Sequence, residues 1–208
     1  LCSAIKRMKT GIKDQNKPIG SFLFVGPPGV GKTECARVLS EIFLGSPESL
    51  VKLDMSEYSE KQSATKLIGA PPGYAGYGEG GILTERVRLN PYCVLLFDEI
   101  EKAHEDVKAV LLQILDEGVL TDSNGIKVNF KNCIIILTSN CGFKDGKTQL
   151  AGFGMDRDAN MGREQEITKK ALSAELADRI DDVIIFKKLS VLDLEKIASI
   201  KAKGNEAS

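Results

Sequence analysis

Tryptophan is absent from these 208 residues, aromatic residues make up only 6%, and no apolar run approaches the length that crosses a bilayer. A membrane-spanning helix needs about 20 such residues, so that class is excluded and a soluble chain without a membrane partner is expected. Charge of one sign is lacking too. With 28 basic and 29 acidic residues the net is −1, which gives no reason to expect nucleic acid or another polyanion as the main ligand. The five cysteines (Cys2, Cys35, Cys93, Cys133 and Cys141) contain no CxxC pair. Neither a zinc site nor a disulfide framework is indicated, and reduced, mostly buried thiols are expected. The single histidine, His104, stands at the start of a predicted helix with no clustered ligands, and reads as a polar residue near a cap. No signal peptide opens the chain and Leu1 is not an initiator methionine, so a fragment is expected, with room for a targeting segment upstream.

What is present is glycine in a pattern. Residues 26–33 read GPPGVGKT, a match to GxxxxGK[ST]. A triphosphate needs a concave loop of backbone N–H groups with no Cβ in the way, and Gly26, Gly29 and Gly31 permit that approach around Pro27, Pro28 and Val30. Lys32 supplies a mobile ammonium for the outer phosphates. The Thr33 hydroxyl can ligate magnesium at the start of the next helix, where the dipole also favours anions. Context separates this from an ordinary glycine-rich turn: SFLFV at 21–25 reads as a strand and TECARVLSEIF at 33–43 as a helix.

Further strands are expected at 50–54 (LVKLD), within 91–99 (PYCVLLFDE), at 133–139 (CIIILTS) and at 182–186 (DVIIF), with helices at 59–68, 82–90, 105–116 and about 163–177. This alternation predicts an α/β fold, a five-stranded parallel sheet with helices on both faces. GVLTDSNGIKVN at 118–129 carries an Asn124-Gly125 turn signal and predicts a small hairpin. Residues 142–162 read as a long exposed loop, and 191–200 as one helix of a further unit.

The strand VLLFDE places two carboxylates at its end, where open α/β sheets collect ligands. Asp98 is suited to hold magnesium. Glu99 can orient or deprotonate a water for in-line attack on a γ-phosphate, although Asp-Glu after a strand also serves to start a helix. Asn140, closing the strand CIIILTSN, can hydrogen-bond the same water or the phosphate. ATP and Mg2+ are the expected cofactors, and hydrolysis the expected reaction.

GPPGVGKT, VLLFDEIEKAH and IIILTSN together resemble an AAA+ ATPase. LDMSEYSEKQSATKLIGAPPGYAGYGEGG, LLQILDEGVLTDSNGIKVNF and ELADRIDDVIIF narrow the resemblance to the second ATPase ring of the Clp unfoldases, the group that includes ClpA, ClpB and ClpC. The resemblance implies a P-loop NTPase large subdomain over 1–188, with a pore loop at 73–81, and the start of a small helical subdomain at 189–208. It makes Tyr74 the pore aromatic that grips an extended polypeptide, Arg179 the arginine finger of a neighbouring subunit, and Asn140 the sensor-1 residue. From the residues alone, Tyr74 is equally a surface anchor and Arg179 an ordinary salt-bridging arginine. AGFG at 151–154 resembles the tripeptide with which degrading members dock on a ClpP-type peptidase, through Gly152 and Phe153. That favours a ClpC-like over a ClpB-like reading, although Ala151 offers less apolar surface than the usual Ile, Leu or Val. A homo-hexamer handling unfolded polypeptides is implied, in bacterial cytoplasm or an organelle interior. A nucleic-acid motor would want a basic stripe, and Glu79 in GYAGYGEGG is acidic. The family's adenine-contacting segment and sensor-2 arginine are missing here, so this piece by itself is expected to be largely monomeric and weakly active.

Overall fold

The computed structural model describes residues 16–74, 78, 80–141 and 172–205. Five strands form one wholly parallel sheet: β1 (Gly20–Val25), β2 (Leu50–Asp54), β3 (Val94–Asp98), β6 (Ile134–Ser139) and β7 (Asp182–Ile185), in the order β2-β3-β6-β1-β7. Every residue of β1 and β6 is buried, because helices cover both faces. Side chains alternate across a strand, so each strand feeds two cores. Phe22, Phe24, Leu96 and Ile136 pack on Ala36 and Leu39 of α1 (Lys32–Leu44). Leu23, Val25, Phe97 and Leu137 pack on the opposite side, with Leu67 of α2 (Ser63–Ile68), Leu83 and Val87 of α3 (Ile82–Leu89), and Val107, Leu111 and Ile114 of α4 (Glu105–Glu117).

The expected hairpin is present as β4 (Val119–Thr121) and β5 (Lys127–Asn129), an antiparallel pair. Its turn is organised by Asp122, whose Oδ1 accepts the N–H groups of Asn124 and Ile126 at 2.9 and 2.8 Å. His104 caps α4, its Nδ1 accepting the Asp106 N–H.

Two expectations change. The helix expected over 59–68 is a 3-10 helix at Met55–Tyr58 followed by α2, which begins only at Ser63. The Asp54 carboxylate accepts the Ser56 N–H at 2.9 Å and turns the chain as it leaves β2, and residues 59–62 have no apolar side chain to bury. Of the helix expected over 163–177 the described part is α5 (Ala174–Ala177). Residues 142–171, which include Gly152 and Phe153, lie outside the described set. The final helix, α6 (Val191–Asn205), runs past the expected 200, and exposes Val191, Leu192, Leu194 and Ile197.

Cysteine spacing carried no sign of one arrangement. Cys93 and Cys133 are both buried, with their sulfurs 3.6 Å apart, where β3 and β6 begin. Their mutual hydrogen bond and burial push the Cys133 thiol up, so it stays protonated.

Gly26 links fold to site. A Cβ there would lie 2.6 Å from the carbonyl oxygen of Phe186 and 2.7 Å from its Cβ, while the Phe186 N–H donates to the Val25 carbonyl at 2.7 Å. The Gly26→Ala variant must therefore push the end of β7 away. Overpacking of this kind costs about 1–3 kcal/mol, expected as a lowered urea midpoint with an unchanged slope. A midpoint equal to the parent's would show that β7 yields freely.

Candidate functional site

Register brings the site together. Val25 pairs with Ser139, so β1 and β6 end level and release Gly26 and Asn140 side by side. Phe97 pairs with Leu137, which sets Asp98 beside Thr138. Asp98 has the same parity as Leu96, so its side chain lies on the face covered by α1, the helix that begins with Lys32 and Thr33.

The loop and α1 make a cavity of about 450 Å³, lined by Pro28, Gly29, Val30, Gly31, Lys32, Thr33, Glu34, Asp98, Glu99 and Asn140. Gly31 precedes α1 at φ 93°, a left-handed conformation that only glycine adopts without strain, and no side chain caps the helix. Its first N–H groups and the positive end of its dipole are thus directed into the cavity, the chemistry that suits phosphate. Lys32 is 8% exposed; its Nζ donates to the carbonyls of Gly26 (2.6 Å) and Pro27 (3.0 Å) and to Asn140 Oδ1 (2.6 Å). Burial holds its pKa below the ordinary lysine value, although Asp98, Glu101 and Glu99 pull the other way.

On the opposite wall, Asn140 Nδ2 donates to Glu99 Oε1 at 3.0 Å and its backbone N–H to Glu101 Oε1 at 3.0 Å. An acceptor on one side and a donor on the other set the orientation of this amide. Glu99 Oε2 pairs with Lys102 Nζ at 2.5 Å. A continuous path runs from Lys32 through Asn140 to Glu99 and Lys102.

Glu99 has φ 58°, the one positive value for a residue other than glycine among the described residues. Such backbone strain costs about 1–3 kcal/mol and persists only where neighbours over-determine it. Thr138 is one such neighbour: its fully buried hydroxyl accepts the Glu99 N–H at 3.0 Å and donates to Asp98 Oδ1 at 2.5 Å. Sequence reading missed it, although its place two residues before Asn140 on a parallel strand was a usable signal. Missed also was Lys52, whose Nζ pairs with Asp98 Oδ2 at 2.7 Å. A lysine between the apolar Val51 and Leu53 of LVKLD marked it.

Thr33 Oγ1 lies 3.4 Å from Asp98 Oδ2, too long for a firm hydroxyl–carboxylate hydrogen bond. Two hard oxygen donors standing beside a phosphate-type loop fit magnesium, which takes one or two protein oxygens and completes its shell with phosphate and water. Two residues named from sequence stand apart from the cavity. Arg179, after α5, pairs with Asp116 of α4, and that carboxylate raises its pKa further. Its backbone is anchored too, since buried Ser21 donates its Oγ–H to the Arg179 carbonyl at 2.9 Å. Tyr74 is 68% exposed beyond Gly73, which has φ 89°. No helix among the described residues is long and apolar enough to cross a membrane.

A parallel sheet ending in a phosphate-type loop, faced by strand-end carboxylates and a polar asparagine, defines a P-loop nucleoside-triphosphatase domain. The profile of the AAA domain (Cdc48 subfamily) matches residues 17–183, and the chain belongs to the AAA+ ATPases, in the Clp family. It is 49% identical over 98% of its length to the chaperone protein ClpB of Helicobacter hepaticus. To the ATP-dependent Clp protease ATP-binding subunits ClpC of Staphylococcus saprophyticus and Staphylococcus aureus it is 47% identical over 96% of its length. These matches cover 23% to 25% of the relatives, so the chain spans about a quarter of their length. Identity of 49% against 47% does not separate the ClpC-like from the ClpB-like reading.

The Thr138→Val variant keeps the volume and removes both hydrogen bonds. An unsatisfied buried partner costs about 1–3 kcal/mol, so a lower urea midpoint is expected, together with slower ATP turnover as Glu99 leaves its place. Thr138→Ser should restore both; a Val variant with parental turnover would remove Thr138 from the site.

Proposed function

We propose that this chain is the ATP-hydrolysing module of a Clp-family ring that unfolds and translocates polypeptides. What carries the reading is the linked set Lys32, Asn140 and Glu99, with Asp98 facing Thr33 in the same cavity at the C-terminal end of the sheet. In it the α1 N-terminus and Lys32 bind the phosphates, and Thr33 and Asp98 hold Mg2+. The ion, when bound, offsets phosphate charge and polarises the transferred group. Asn140 and Glu99 orient the attacking water, and the Glu99 carboxylate takes its proton. Lys102 pairs with the other Glu99 oxygen and holds the carboxylate in place beside Asn140.

Arg179 acts in the neighbouring subunit's site, which agrees with its distance from this chain's own cavity. Its pairing with Asp116 joins it to α4, the helix that follows the Glu99 turn, so that turn and finger share one rigid support. Tyr74, exposed in the glycine-rich stretch, grips the polypeptide as the loop moves. The helix α6 begins a small helical subdomain, and its exposed apolar side chains suit burial there. We infer a homo-hexamer in bacterial cytoplasm or an organelle interior, with Gly152 and Phe153 docking a ClpP-type peptidase. A ClpB-like machine without that partner is the alternative.

In the intact protein, Glu99→Gln is expected to leave ATP bound and to slow turnover at this domain by about 100- to 10,000-fold, the usual span for a lost general base. Tyr74→Ala should spare hydrolysis and abolish substrate unfolding. Undiminished hydrolysis in the first variant, or unfolding at the parental rate in the second, would remove that residue from its role. Capture of the peptidase by the intact protein, lost on deleting residues 150–155, is expected of the ClpC-like reading; no capture by the parent favours the ClpB-like one.

A further inference from the structure

The Asp98 carboxylate divides its two oxygens between different partners. Oδ1 takes the Thr138 hydroxyl, a structural bond between β6 and β3. Oδ2 faces Thr33 Oγ1 at 3.4 Å, and it is this oxygen that the Lys52 ammonium approaches at 2.7 Å. Lys52 lies on β2, the edge strand, opposite Leu96 and two residues before Asp54, which pairs with Asp98. Strand parity therefore puts Lys52, Asp54 and Asp98 on one face. The lysine side chain is 45% exposed against 16% for Asp98, so a mobile cation reaches in from the edge to a fixed, mostly buried anion.

We propose that Lys52 competes with magnesium for Asp98 Oδ2, so that metal loading requires the ammonium to move aside. A divalent ion and an ammonium on one carboxylate oxygen repel each other strongly where water is partly excluded. Asp54 offers Lys52 somewhere to go. It is the neighbouring carboxylate on the same face, kept ionised by the Ser56 hydroxyl and N–H, and Lys52 already feels its charge. The displacement links the metal position to β2 and, through Asp54, to the 3-10 helix Met55–Tyr58, whose cap Asp54 is. Loading the nucleotide site would thus be felt at the start of the segment that leads to Tyr74.

This inference rests on the proposed nucleotide site, and one titration separates the two. Mn2+ is titrated into the intact protein with saturating ADP, bound ion being read by electron paramagnetic resonance, for the parent and for Lys52→Gln, Lys52→Met and Lys52→Arg. Gln and Met are expected to lower the half-saturating Mn2+ about three- to tenfold by removing a competing charge, and Arg to leave it within about twofold. A lysine that merely fastens β2 to β3 would lower the melting temperature in the neutral variants without moving the half-saturating concentration, and that result overturns the proposal. A rise in that concentration, as for a lysine that helps hold phosphate, overturns it as well. If the parent binds ADP with no response to Mn2+, the reading of Thr33 and Asp98 as metal holders falls and this inference with it; if it binds no ADP, the nucleotide-site reading falls.

Discussion

The hydrogen bonds of Thr138 at the end of β6 hold the site to the fold. β6 lies between β1, which delivers the phosphate loop, and β3, which delivers the carboxylates, so whatever its last residues touch is tied to both. Thr138 fixes Asp98 and the strained Glu99 turn, while Asn140 two residues on reaches Lys32 on one side and Glu99 on the other. A hydroxyl and an amide are suited to this because each donates and accepts, and both ends of a buried polar link must be satisfied. The all-buried β6 behind them keeps these groups from drifting.

Charge is arranged with the same economy. Asp98 and Glu99 line one wall with Glu101 bonded to Asn140 beside them, and like charges in a partly dry site repel. Three lysines on three elements answer them: Lys32 from α1, Lys52 from β2 and Lys102 from the turn after Glu99. Each reaches the acids on a long stem, so each can be redirected when phosphate or metal enters. The carboxylates of Asp98 and Glu99 are held by the short side chains of Thr138 and Asn140.

Much of the fold was legible in the residues. Five parallel strands, the hairpin at Asn124-Gly125 and the helix after the phosphate loop arise from apolar runs, turn chemistry and glycine spacing, all of them local signals. Locality also explains the errors. The helix expected over 59–68 begins only at Ser63, because a carboxylate-to-amide bond at Asp54 first turns the chain into a 3-10 helix and residues 59–62 have no apolar side chain to bury. Thr138 sat unremarked in an apolar strand because its partners are 39 and 40 residues away. The contact of Cys93 with Cys133 was invisible for the same reason.

The sequence by itself determined the chemistry: glycines without Cβ, a lysine and threonine at a helix start, and an acid pair after a buried strand name a phosphate ligand wherever they are placed. Tertiary structure decided the wiring. Strand order and register chose which oxygen of Asp98 meets Thr138 and which meets Lys52, gave Asn140 its two partners, and moved Arg179 out of its own chain's cavity to Asp116. Residue type sets what a group can bind, but partners far apart in the chain are selected only when burial of both sheet faces locks the strands into one alignment.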